Sequence, residues 1–135
     1  MDSNQITAIT ELDRSTYRTK IYAGGHFIYA DEPEDIGGTD EGMTPGALLL
    51  ASLGSCTAIT IRMYADRKNI ALDAVKIHLA IAKEEEMDQG TKITRKIEFT
   101  GELSSEEIAR LTEIADKCPI HKILSNPIQI DTISI

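Results

Sequence analysis

Tryptophan is absent from this chain of 135 residues, and only 4 Tyr and 2 Phe stand in its place, so any core is aliphatic. Positive charge is scarce as well: 14 Lys and Arg face 22 Asp and Glu, a formal net charge of −8. Without a basic cluster to offset that charge, nucleic acid and anionic membrane surfaces are excluded as expected partners. The apolar stretch "ALLLASL" is too short to cross a bilayer, and no charged-then-apolar leader pattern opens the chain. No membrane partner and a cytoplasmic location are therefore expected. Cysteine is reduced to 2 residues, too few for the disulfide framework of a small secreted protein. Internal repeats, low-complexity tracts and Pro/Ser-rich linkers are also missing, which leaves one domain over 1–135 as the expectation.

What is present alternates between strand and helix signals. In "TYRTKIYAGGHFIYADEP" the pair Gly24-Gly25 separates two β-rich runs, a hairpin signature. "DEPEDIGGTDEGMTPG" is a loop, ended by Thr44 as a helix N-cap and Pro45 at the first helical position. Nothing breaks a helix from Pro45 to Lys68, and Asn69 can end it. Leu48, Leu49, Leu50, Ala51 and Leu53 leave its first half no wet face, so a second subunit is expected to cover it. "ALDAVKIHLAIAKEEE" and "TKITRKIEFTGEL" read as two antiparallel strands joined by the polar "EEEMDQG". Ser104 and Glu107 form a capping box for a helix whose stripe is Ile108, Leu111, Ile114, Ala115 and Cys118. Pro119 restarts a short helix through Leu124, and "IQIDTISI" closes the chain as an alternating strand. The order predicts an α+β fold with antiparallel pairing.

The chemistry turns on Cys56 and Cys118. Free cysteine is among the most buried residue types, so each can be a small core residue. With Pro119 opening a helix, however, Cys118 falls at its N-cap, where a thiolate is favoured. Cys56 lies eleven residues beyond Pro45, past the reach of its own helix dipole, and burial raises a thiol's pKa. A reactive Cys56 therefore needs a cation from elsewhere. Arg14 and Arg18 in "LDRSTYRTKIY" are the candidates, each with a solvated strand-edge charge as the plainer reading. Arg62 is not, because six residues along a helix places it about 240° round from Cys56. His121 completes a Cys-x-x-His spacing, but His26, His78 and His121 are scattered, so no metal is expected and His121 reads as a hydrogen-bonding group. Gly37-Gly38 lacks the strand-to-helix setting of a phosphate cradle.

"TPGALLLASLGSCTAITIRMYADRK" together with "ADKCPIHKIL" resembles the OsmC/Ohr family of thiol-dependent hydroperoxide reductases, and its OsmC-like branch most. The resemblance implies an intertwined α+β homodimer with an OsmC-like fold, its long central helices packed together and the active site at the interface. It also implies a peroxidatic Cys56, a resolving Cys118, and Arg14 or Arg18 steadying the thiolate. Organic hydroperoxide would be the substrate and a dithiol the reductant, with no cofactor. Where the family often carries a Glu near the Pro that opens the helix, this chain has Gly46 and Ala47, leaving Asp40 and Glu41 as the nearby acids. That departure favours a rival reading, a catalytically weak or inactive dimer serving binding or structure. A second rival is a thiol enzyme of different chemistry, such as acyl transfer, with His121 as base.

Overall fold

The computed structural model describes residues 5–82 and 90–135. Its contacts fall into two compact units, one reaching to Leu49 and one from Leu50 on. In the first, β1 (Ile9–Glu11), β2 (Thr19–Ala23) and β3 (His26–Ala30) form an antiparallel sheet in chain order. The expected hairpin is there: Ala23 pairs with His26, and Gly24 and Gly25 take φ of 56° and 80°. Two successive positive φ angles make the tight turn whose twist suits paired strands, and glycine adopts them without a Cβ clash.

The loop after β3 is organised by Asp31, which is only 1% exposed. Its carboxylate accepts the backbone N–H groups of Glu32, Thr39 and Glu41 and the Thr39 hydroxyl, the last at 2.6 Å. These donors, Thr39 foremost, hold the Asp31 pKa down at about 2 against burial. The loop then delivers the chain to α1 (Pro45–Arg67), whose N-cap Thr44 accepts the Ala47 N–H at 3.2 Å as expected. Asn69, with φ of 56°, follows its end.

In the second unit, β4 (Leu72–Ile81) and β5 (Ile93–Gly101) pair antiparallel, followed by α2 (Ser105–Ala115) and α3 (Pro119–Leu124). Both halves of the Ser104–Glu107 capping box form. The polar turn expected at 84–90 lies, apart from Gly90, outside the described residues. α1 buries a stripe of Leu53, Gly54, Thr57, Ile61 and Ala65. Ile61 and Ala65 share the core with Leu72, Leu111, Ile114 and Ala115, partly covered by Val75, Ile97 and Phe99 of the sheet.

Two expectations need correction. "IQIDTISI" forms no strand, because no described strand of the chain pairs with it; Ile128, Ile130, Ile133 and Ile135 are exposed. A strand is a paired structure, so an alternating pattern supplies a face without supplying a neighbour. The apolar stretch is also longer than "ALLLASL": the 23 residues of α1 are long and apolar enough by length and composition to cross a membrane. Their C-terminal half instead forms the core just described. The apolar half of α1 is not fully covered within the chain either: Leu49 is 42% exposed.

Candidate active site

The sequence's two cysteines come together in the second unit. Cys56 lies one residue before Thr57, on the edge of the buried stripe of α1, and is half-buried. Gly54 faces the Leu79 side chain of β4, whose end would have to shift for a larger residue here. A Cβ there would stand 2.7 Å from Leu79 Cδ1, nearer than real Cβ contacts come. Cys118 is fully buried where α2's stripe runs out, and it caps α3 as the position of Pro119 requires. Its sulfur accepts the His121 backbone N–H at 3.2 Å.

The two sulfurs are neighbours that differ in exposure, Cys56 half-buried and Cys118 fully buried. Burial pushes the Cys56 thiol above its ordinary value of 9.0; the Ile120 N–H acts the other way, and the adjacent Cys118 thiol adds to the rise. Among the described residues, no cation is a cause of the Cys56 shift, and a cation is what would make it a strong nucleophile at neutral pH.

Arg95 is the residue that sequence reasoning missed. It stands on β5 between Ile93 and Ile97, facing inward with them opposite Leu79. Its side chain is 11% exposed. Nη1 donates to Thr57 Oγ1 at 3.0 Å, and Nη2 donates to Asp116 at 2.7 Å and to His121 Nδ1 at 3.2 Å. Guanidinium nitrogens cannot accept, so His121 Nδ1 is the acceptor in that pair. The Thr57 hydroxyl donates to the Leu53 carbonyl at 2.6 Å and lies 3.9 Å from Cys118 Sγ. The signal in sequence was an arginine inside the strand's alternating apolar face, Ile93-x-Arg95-x-Ile97-x-Phe99. A charge at such a position is held by buried partners or it does not stay there.

His121 therefore meets Cys118 through its backbone, while its ring turns to Arg95. That arrangement does not present the imidazole as a base to the Cys118 thiol. Arg95 and His121, with Leu53, Ile93, Leu124 and Ser125, line a cavity of about 190 Å³. Among the described residues, no three His, Cys, Asp or Glu side chains converge as metal ligands would.

In the first unit, Arg14 is exposed in the turn after β1, while Arg18 Nη1 lies 3.3 Å from each carboxylate oxygen of Glu41. The single Thr39 hydroxyl hydrogen is shared between Asp31 at 2.6 Å and Glu41 at 2.7 Å. Of the two loop acids, Glu41 is the one that holds Arg18. Arg62 pairs with Asp66 and donates to the Leu72 carbonyl.

A long α1 laid on an antiparallel β4–β5 pair, with one cysteine on α1 and the second at the α2–α3 junction, defines an α+β protein with paired thiols. The sequence pattern of the OsmC-like proteins matches residues 38–133, and the chain belongs to that family. Among solved structures, an OsmC-like protein from Mycoplasma pneumoniae superimposes with a TM-score of 0.75 at 20% identity, covering 91% of this chain and 89% of that one. An organic hydroperoxide resistance protein OsmC from Legionella pneumophila gives 0.66 at 19% identity, over 93% and 92%. One from Elizabethkingia anophelis, also an organic hydroperoxide resistance protein, gives 0.65 at 17%, over 92% and 90%. These likenesses establish the shared fold. None of the curated proteins matches the chain.

Proposed function

We propose that this protein reduces organic hydroperoxides to alcohols with its two thiols. The observation that carries the reading is a half-buried Cys56 beside a fully buried Cys118. The Cys56 thiolate attacks the outer peroxide oxygen, the O–O bond breaks, and the alkoxide leaves as an alcohol after taking a proton. Cys56 becomes a sulfenic acid. The Cys118 thiol condenses with it, releasing water and forming the disulfide, and a dithiol reductant restores both thiols. No cofactor enters this scheme.

Family membership and the hydroperoxide resistance proteins that share the fold support the same chemistry. In this proposal the working form is a homodimer in the reducing cytoplasm, with Arg18, or Arg14, supplying the cation that lowers the Cys56 pKa. Exposed Leu49 on α1 and the exposed isoleucines of 128–135 support a second subunit, since apolar surface of this kind marks association. The rival, a weak or inactive dimer, draws on the raised Cys56 pKa and on Gly46 and Ala47.

Stoichiometric consumption of an organic hydroperoxide by the reduced protein tests the proposal. Wild type should consume peroxide, Cys56→Ser should consume none, and Cys118→Ser should manage one turnover and stop as a sulfenic acid. Consumption that survives in Cys56→Ser would remove the basis for the reading.

A further inference from the structure

Resting on the disulfide cycle just proposed, the surroundings of the two sulfurs also set the direction of the return half. We propose that the dithiol reductant enters at Cys56 Sγ and expels Cys118, with Arg95 as the residue that positions the receiving group through Thr57.

Access decides the first point. Cys118 is 0% exposed, whereas Cys56 is partly exposed, so of the two sulfurs Cys56 is the one a thiolate can reach. An attacking sulfur must approach in line with the bond it breaks, and only Cys56 offers that approach.

The leaving sulfur is served by groups already in place. Expelled Cys118 carries a full negative charge where the His121 N–H already points at 3.2 Å. The Thr57 oxygen lies 3.9 Å away, with the Arg95 guanidinium bonded to it at 3.0 Å on the far side. In the reduced state the Thr57 hydroxyl donates to Leu53 at 2.6 Å. Charge on Cys118 favours turning that hydrogen from the carbonyl to the sulfur, and the oxygen keeps accepting from Arg95 as it turns. A positive charge behind a donor strengthens the donor, and a stabilised thiolate leaves faster. Arg95 itself is fixed by Asp116 and His121, which explains why a cation is kept on an otherwise apolar strand face.

The bonds balance. One reductant thiolate forms a bond to Cys56 as the Cys56–Cys118 bond breaks, and the electron pair leaves with Cys118, which then takes a proton. The second reductant thiol, deprotonated, attacks its own sulfur in the mixed disulfide. The reductant closes to a cyclic disulfide and Cys56 is released as a thiolate, which takes the proton given up by the second reductant thiol. Two electrons and two protons have passed from the dithiol to the two cysteines.

The test forms the disulfide with diamide, so it does not depend on peroxide chemistry. The oxidised protein is treated briefly with glutathione, which has no second thiol to close a ring and so leaves a mixed disulfide that can be trapped, then acid-quenched, alkylated and peptide-mapped. Glutathione should be found on Cys56 and the alkyl group on Cys118; the reverse labelling, or no disulfide after diamide, overturns the proposal. For Arg95, the opening rate should fall about tenfold or more in Arg95→Met and recover in large part in Arg95→Lys, because the charge stabilises the leaving thiolate. Thr57→Val should lower it similarly. Equal rates in Met and Lys variants would remove Arg95 from the role, and the wild-type mapping stands as the test of direction if either variant fails to fold. A protein that opens at Cys56 but ignores peroxide would sink the peroxidase reading alone.

Discussion

Cys56 and Cys118 are the same residue type a short distance apart, and their environments give them different work. Cys118 is fully buried but has an N–H donor aimed at its sulfur; Cys56 is more open, and its thiol is raised above 9.0 chiefly by burial. With burial alone acting on it, Cys56 in Cys118→Ser would react with iodoacetamide at a rate that climbs with pH through 9 without levelling; in the proposed dimer, where Arg18 or Arg14 supplies a cation, the rate should level at lower pH. A plateau near neutral pH would mean that a cation reaches Cys56 and lowers its pKa. The same shift bears on stability. A folded thiol that keeps its proton when the unfolded one loses it contributes fully below the unfolded pKa, and that contribution fades as pH rises through the folded value. Alkaline unfolding should ease when Cys56 is replaced by Ala, provided the small cavity left is tolerated.

At the scale of elements, the loop over 31–43 is the least conventional part. Asp31 collects three backbone N–H groups and the Thr39 hydroxyl, and Thr39 in turn steadies Glu41 against Arg18. Because the Asp31 pKa is lowered from 3.8 to about 2, this contribution is complete above pH 3.8 and is lost as pH falls through about 2. The amide resonances of Glu32, Thr39 and Glu41 should shift together in that window, and Asp31→Asn should abolish the shared titration. Separate midpoints would show that Asp31 does not organise the loop. The elements themselves were largely legible. Gly24-Gly25, Thr44-Pro45, the Ser104–Glu107 box and Pro119 each act within a few residues, so their chemistry is readable in a linear chain. Arg95 and Thr57 were not, because their importance arises only when β5 is laid on α1 and a polar residue in each apolar stripe finds the other. The pairing of 128–135 was misread for the same reason: whether a partner strand exists is not written in the run.

At the scale of the molecule, packing also sets a stability expectation. Leu111, fully buried among Ile61, Ile114 and Ala115, should cost roughly 2–5 kcal/mol when changed to Ala, read from denaturant unfolding. A cost well below that would mean the α1–α2 core is looser than it is drawn. Association is the second expectation. A chain that leaves Leu49 and four C-terminal isoleucines exposed should sediment as a dimer at micromolar concentration, and Leu49→Glu should shift it toward monomer. A stable, soluble wild-type monomer would contradict the dimer that the proposed cycle uses. Glu41→Ala then asks whether Arg18 contributes to that cycle: peroxide consumption should slow if the Arg18 rotamer held by Glu41 matters, and stay unchanged if the pair is only a surface ion pair. The most direct measurement is peptide mapping of the reduced protein after one equivalent of an organic hydroperoxide. The account predicts the loss of two hydrogen atoms from the intact mass and a single intramolecular Cys56–Cys118 bond; unchanged thiols, or sulfinic acid on Cys56 beside a free Cys118, would contradict it.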